Sequence, residues 1–292
     1  MRIMRRLRAA AAIAAVALLA LPAWAAAASS FDPSQEFKLD PYVKIEIGPL
    51  DLSINKAVVY LLLATAISCG VGIFVVRGGL RMRPTRAQNF VEIVYDFADT
   101  QIGRQTLPPK VFSRWFPYVA TLFIFIAVSN IMSFIPLPVS HERGGWIDNL
   151  PDWGLYAATA NINVTLTLTI LTFLIYNYEG VRVHGLVGYF RTLIPEAPRA
   201  IKPVIFVLEL LSQLLRLVSL SVRLFANMVA GHLLIIVAAG FCVLLGNFAG
   251  IIAIPLGVFF YFFEWVLIAG LQAFIFAMLS GIYIGFAVET AH

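Results

Sequence analysis

Residues Ile201 to Gly240 read as forty residues of apolar helix, and Arg223 sits in the middle of them. A guanidinium at membrane depth costs roughly 3 kcal/mol on insertion scales and more than about 10 in simulations. A segment that merely crossed a bilayer would use cheaper residues. The chain must therefore fold as an integral membrane protein that builds a special environment for this cation. Composition agrees: 60% of the 292 residues are hydrophobic and 13% charged, against about 25% charged in a soluble domain. The net charge is +5. The basic residues cluster between apolar spans, which points to cytoplasmic loops and not to nucleic-acid binding. Cys69 and Cys242 each lie in an apolar segment and read as small buried hydrophobes, not as a disulfide or metal pair. The sequence contains no zinc spacing, phosphate-cradling glycine loop or nucleophile elbow, so no metal or cofactor is expected.

The N-terminus has the pattern of a cleavable signal over residues 1–25. Arg2, Arg5, Arg6 and Arg8 precede an apolar core, Ala9 to Leu21, and Ala23-Trp24-Ala25 offers a small-x-small cleavage site. A first membrane anchor is the alternative, but the short alanine-rich core argues against it. Residues 26–56 form an exported segment, and 57–292 the membrane domain.

Five apolar blocks follow: Ala57 to Val76, Trp115 to Pro138, Ala157 to Tyr178, Ile201 to Gly240 and Ile251 to Val288. Each is long enough to cross. Between the first two lie seven basic residues, Arg77, Arg81, Arg83, Arg86, Arg104, Lys110 and Arg114. The next loop has Arg143 against Glu142, Asp148 and Asp152, and the third has Arg182, Arg191, Arg199 and Lys202. The positive-inside rule puts the first and third loops in the cytoplasm. The mature N-terminus is then outside and the C-terminus inside. In the first loop Phe90, Val91, Val94, Phe97 and Ala98 share a helical face, which predicts an interfacial amphipathic helix. The expected fold is thus all-α, with five crossing helices and one interfacial helix. The last two blocks are too long for an upright crossing: forty helical residues make about 60 Å against a hydrocarbon core of about 30 Å. With no Gly-Pro punctuation between Pro203 and Gly231, the sequence predicts a long inclined helix. The block after it completes a hairpin (201–288) joined on the outer side by Phe241 to Gly250.

Few ionisable groups follow Pro203: Glu209, Arg216, Arg223, His232, Glu264, Glu289 and His292. Glu209, Arg216 and Arg223 are spaced by seven, two turns less about 20°, and share a stripe with Ser212, Ser219 and Asn227 nearby. His232 lies about 13 Å beyond Arg223, roughly on the opposite face. Glu264 and Gln272 are eight residues apart, loosely on one side of the last helix. The third block adds Asn161, Asn163, Thr165, Thr169 and Thr172. Each group has a structural reading too. Hydroxyls in membrane helices often act as hydrogen-bonding glue. Glu209 and Arg216 suit a cytoplasmic interface. His232 and Glu264 suit an interhelical polar pair, and Arg223 a salt bridge to Glu264.

Arginine is never deprotonated in proteins, so Arg223 cannot carry a proton, whereas glutamate and histidine can. A fixed cation between two sets of titratable groups blocks leakage and drives a nearby mobile carboxylate to release its proton. The residues then read as two half-pathways separated by a positive gate. His232, Glu264 and the asparagines suit the outer one, and Glu209 and Ser212 the inner. No mobile carboxylate is evident in this chain, so a partner must supply it. The competing reading is a secondary transporter in which Arg223 binds an anionic substrate; it requires internal repeats and broken helices.

The run Ser219-Leu220-Ser221-Val222-Arg223-Leu224-Phe225-Ala226-Asn227-Met228-Val229-Ala230-Gly231-His232 strongly resembles the signature of subunit a of the F-type ATP synthase membrane sector. Leu271-Gln272-Ala273-Phe274-Ile275-Phe276 is similar to that family's last-helix motif. Thr159-Ala160-Asn161-Ile162-Asn163-Val164-Thr165-Leu166 and Ser129-Asn130 also fit, so the resemblance covers roughly residues 40–290. It implies that Arg223 is the stator arginine facing a rotating ring of c subunits, with Asn227, Gln272 and Ser219 around it. It puts His232 and Glu264 in the outer channel, and Glu209 and Ser212 in the inner. Asn161, where some members carry an aspartate, then marks a wet path. One departure stands out: Glu264 precedes Gln272 by eight residues where the family pattern has seven, an extra 100° of α-helix. The implied partners are the c-ring, the b subunits of the peripheral stalk, the other synthase subunits and the lipid bilayer. The implied location is a bacterial inner membrane, with an organellar inner or thylakoid membrane as the alternative.

Overall fold

A computed structural model describes residues 41–44, 46–47, 50–51, 53–79, 81–134, 157–192, 201–244 and 246–289. The predicted signal segment and the acidic second loop fall outside the described residues. The chain forms two compact units: one comprises Leu39–Ala230 with Glu264–His292, and the other is built around Gly231–Phe263.

Among the described residues, five helical segments are long and apolar enough to cross a membrane. Helix α1 (Lys56–Arg77) starts where the Asn55 side chain accepts a hydrogen bond from the Val58 amide, and it ends at Gly78. Helix α2 (Arg86–Phe97) is capped by the Thr85 hydroxyl and continues into a π-helical turn, Ala98–Gly103, then a short helix, Arg104–Thr106. Helix α3 (Pro109–Met132) begins six residues before the predicted Trp115, because a proline at the first helical position has its φ already set. Helix α4 (Ile162–Thr192) runs past the predicted Tyr178 and kinks at Gly185, whose φ of 72° only glycine adopts freely. Beyond the kink the Tyr189 ring lies against Gly180, and its hydroxyl donates to Asn177 Oδ1 at 2.7 Å. Helix α5 (Lys202–Leu244) is a single 43-residue element. It is followed by α6 (Gly246–Phe263), a π-helical segment (Glu264–Leu271) and α7 (Gln272–Val288).

The expected all-α membrane fold stands, and among the described residues two small antiparallel ribbons precede it: β1 (Pro41–Val43) pairs with β4 (Ile54–Asn55), and β2 (Glu46–Ile47) with β3 (Leu50–Asp51). Their sequence signal is the alternation Val43-Lys44-Ile45-Glu46-Ile47 before the turn dipeptide Gly48-Pro49. The expected Phe241–Gly250 connection is helical up to Leu244 and again from Gly246, since those residues include no proline or charge to stop a helix. Cys69 is exposed on α1, not buried, because that helix packs along one side only. On the predicted amphipathic face of α2, Val91 and Val94 turn inward and Ala98 is buried, while Phe90 and Phe97 remain exposed at its edges.

The core of the larger unit is α3, α4 and α7 packed together, with Phe116, Val119, Tyr176, Ala277 and Ile284 at its centre. Leu220 and Leu224 of α5 join Leu122, Ile126, Ala273 and Phe276 in a second cluster. Lipid supplies no hydrophobic drive between helices, so close approach of small residues matters more. Gly281 and Gly285 of α7 receive Thr106: a Cβ on Gly285 would stand 2.6 Å from the Thr106 carbonyl oxygen. Backbone cannot yield there, so overpacking of about 1–3 kcal/mol is expected. Gly285→Ala should lower the amount of subunit recovered in membranes by immunoblot, whereas Gly72→Ala, which meets nothing within 4 Å, should not.

Candidate functional site

Helix α5 is two-faced. Leu220, Ser221, Leu224 and Met228 are buried against the bundle. Ser219, Val222, Arg223, Ala226, Asn227 and Ala230 lie on the opposite, exposed side. Arg223 therefore projects from the outward face, flanked at one helical turn by the small residues Ser219 and Ala226. Among the described residues no carboxylate forms an ion pair with it, so the structural reading of Arg223 as a salt-bridged cation fails. Asn227, one turn on, donates from Nδ2 to Gln272 Oε1 of α7 at 2.9 Å. Gln272 is buried, and its Nε2 has no hydrogen-bond partner among the described residues.

The eight-residue interval between Glu264 and Gln272 has a structural answer. The whole of Glu264–Leu271 is π-helix. An i→i+5 turn takes up one residue more than an α-turn, so the interval spans about the rotation of seven α-helical residues. Glu264 and Gln272 are both buried, at 1% and 4% exposure. The widened segment is held by a side chain from α3: Asn130 Nδ2 donates to the Ala269 carbonyl at 3.2 Å, and the Thr159 hydroxyl donates to Asn130 Oδ1 at 2.7 Å. His232 is also buried; it belongs to the smaller unit.

Nearer the start of α5 the polar groups form a chain. The Tyr176 hydroxyl of α4 donates to Gln213 Oε1 at 2.6 Å, and Gln213 Nε2 donates to Glu209 Oε1 at 3.3 Å. Glu209 lies 4.0 Å from Arg216, whose guanidinium stands over the Tyr283 ring. A narrow recess beside this chain is lined by Thr169, Thr172, Tyr176, Arg216 and Tyr283. Ser212 is half-buried beside Gln213 on α5. The predicted stripe thus divides: Glu209 and Arg216 meet each other, while the 20° drift per seven residues carries Arg223 out to the surface.

The third-block stripe is mostly self-satisfied. The hydroxyls of Thr165, Thr169 and Thr172 donate to the backbone carbonyls of Ile162, Thr165 and Leu168, as interhelical packing residues do. Asn161 caps α4 by accepting from the Asn163 amide at 2.9 Å, and Asn163 itself is exposed. Tyr118 and Thr172 share a hydrogen bond of 2.9 Å. Sequence reasoning missed Gln213, Tyr176 and Tyr283. Gln213 carried a signal, lying one turn past Glu209; the tyrosines read as ordinary core. It also missed Glu179, which is 1% exposed between Arg182 at 3.3 Å and Arg114 at 3.9 Å.

Comparison with known proteins fits this arrangement. The family model described as ATP synthase A chain matches residues 58–285. The chain is 35% identical over 255 residues to ATP synthase subunit a of Rubrobacter xylanophilus, covering 86% of this chain and 91% of that protein. It is 33% identical over 270 residues to the subunit a of Bradyrhizobium diazoefficiens, covering 89% and 99%. With an exposed arginine that has no carboxylate partner among the described residues on a long membrane helix, and a family match across most of its length, the chain belongs to the ATP synthase subunit a family.

Proposed function

We propose that this chain is the stator channel subunit of an F-type ATP synthase. It offers two offset proton half-channels to a rotating c-ring, and Arg223 separates them. The observation that carries this reading is the outward face of α5, where an arginine without a carboxylate partner among the described residues sits beside Ser219 and Ala226. Small neighbours let a second helix approach closely, and an unpaired guanidinium in lipid needs an anion to approach it. A carboxylate on a passing ring helix meets both conditions. The unbroken α5 around Arg223 disfavours the secondary-transporter reading, which calls for discontinuous helices at this depth.

In this reading His232 and Glu264 load the ring carboxylate from outside, with Asn227 and Gln272 lining the approach and Asn161 and Asn163 near the mouth. After nearly a full rotation the proton leaves past Glu209 and Ser212, through the Tyr176–Gln213 chain. A charge crossing 100 mV yields about 2.3 kcal/mol, so several protons are needed for each ATP made elsewhere in the complex. The subunit spans a bacterial inner membrane with the N-terminus outside, the first 25 residues serving as a cleavable signal, and the b stalk holds it against rotation.

Disulfide trapping tests this placement. Single cysteines at Ser219 or Ala226 should cross-link to a cysteine on the carboxylate-bearing helix of the ring subunit. A cysteine at buried Met228 should not. Absence of cross-linking from the Arg223 face, with cross-linking from another face of the bundle, would remove the assignment.

A further inference from the structure

The eight-residue interval between Glu264 and Gln272 is tolerable only if something holds the π-helical segment in place. A π turn is intrinsically poorer than α-helix and survives where the surroundings fix it. In Glu264–Leu271 the surrounding group is visible. Asn130 is 0% exposed, and its amide donates to a backbone carbonyl inside the segment, that of Ala269. Its own orientation is fixed from the other side by the Thr159 hydroxyl, also 0% exposed. The Ser133 hydroxyl donates to the Asn130 backbone carbonyl at 2.6 Å, which ties down the end of α3 that carries it. Two elements, the end of α3 and the short helical turn Ala158–Ala160, therefore fix the one side chain that reaches a peptide of the last span.

We propose that Asn130 and Thr159 are positioning residues for proton transfer: they lock the π segment, and the locked segment keeps the Glu264 carboxyl in register with Gln272. The proposal rests on the channel reading given above. Neither residue moves a proton. The side-chain amide of Asn130 has no acidic or basic group at neutral pH, and both its polar atoms are engaged in holding backbone and hydroxyl. Loss of the lock lets the segment relax toward α-helix. One residue then has to be accommodated elsewhere, and Glu264 rotates by about 100° relative to Gln272.

This register argument makes an unusual demand: the Asn130 requirement should vanish when the extra residue is removed. Gly270 lies in the segment, is exposed, and has nothing within 4 Å of where a side chain would be, so its deletion removes a residue without removing a side-chain contact. Passive proton conduction is measured in vesicles stripped of the soluble ATPase sector, with subunit content checked by immunoblot. Asn130→Ala should reduce conduction on the order of tenfold or more, because a misplaced reacting group can cost up to about 10²-fold. Thr159→Val should lower it as well, while Thr159→Ser, which keeps the hydroxyl, should not. Deleting Gly270 alone should leave conduction within about threefold of the parent, and deleting it in the Asn130→Ala background should restore conduction. Inserting an alanine after Gly270 should abolish it.

Wild-type conduction in Asn130→Ala overturns the proposal. So does a Gly270 deletion as damaging as the insertion, or one that fails to rescue Asn130→Ala. A fold-stabilising role alone predicts low subunit content and no rescue by deletion. Arg223→Ala measured in parallel separates the two levels. If it abolishes ATP-driven pumping while Asn130→Ala is silent, the channel reading stands and only the lock fails. If Arg223→Ala pumps normally, the channel reading itself is wrong.

Discussion

Arg223→Ala abolishes ATP-driven acidification of reconstituted vesicles while the subunit inserts and assembles at parental levels; that is the expected result, and the largest effect of any substitution in this chain. Removing the guanidinium exposes no unpaired carboxylate, since none of the described residues forms an ion pair with it, and it spares the protein an exposed cation in lipid. Insertion should therefore not suffer. Function should, for an electrostatic reason. A carboxylate about 4 Å from a cation gains about 4 kcal/mol at an effective dielectric of 20, or about three pKa units. That is enough to strip the proton from a ring carboxyl arriving from lipid and to forbid it from passing Arg223 protonated. Alanine supplies neither effect, so ring carboxyls pass in both directions without exchanging protons. Lysine keeps a charge but gives it up readily when desolvated, so Arg223→Lys should recover only a small fraction of pumping. Normal ATP-driven pumping by Arg223→Ala would end the account of Arg223 as the barrier between half-channels.

Much of this was readable in the chain because lipid imposes simple rules. The five spans follow from apolar length alone. Arg223 declares itself because nothing else pays for a guanidinium in that setting. Register across helices was much less legible. Glu209, Arg216 and Arg223 share a heptad spacing, yet only the first two meet, because a slow 20° drift decides which residue reaches the surface. Tyr176 and Tyr283 looked like core aromatics, and their part in the Glu209 chain depends on helices distant in sequence. Helix ends erred where local chemistry outranks hydropathy. Pro108-Pro109 starts α3 within a basic stretch, and α4 continues past Tyr178 because Glu179 finds two arginines. The π segment had one trace in the sequence, a spacing of eight in place of seven. The spacing says that a residue must be absorbed; only the Asn130 contact to Ala269 says where.

Glu264→Gln should be the second most damaging change, cutting proton flux by about a hundredfold, while Gln272→Ala costs much less. Positioned acid–base groups contribute about 10²–10⁴ in rate, and Glu264 is a titratable group that the π segment buries, as Gln272 at its end is buried. Glutamine keeps the size and polarity of the side chain, so packing around it should survive and subunit content should match the parent. What is lost is the ability to accept and release a proton. Gln272 is different in kind: it holds Asn227 at 2.9 Å and has a buried Nε2 without a hydrogen-bond partner among the described residues, and an amide shapes a path without relaying charge through its own protonation. Its loss leaves room that water can fill, and flux falls only partly. Glu264→Asp retracts the carboxyl by one methylene and should fall between the two, since the acid remains but misses its partners by about an ångström. The ordering is measured as passive conduction per inserted subunit. Equal losses for all three variants would mean that they disturb a common fold. A Glu264→Gln variant conducting like the parent would take this carboxyl out of the proton path altogether and leave the π segment as packing geometry.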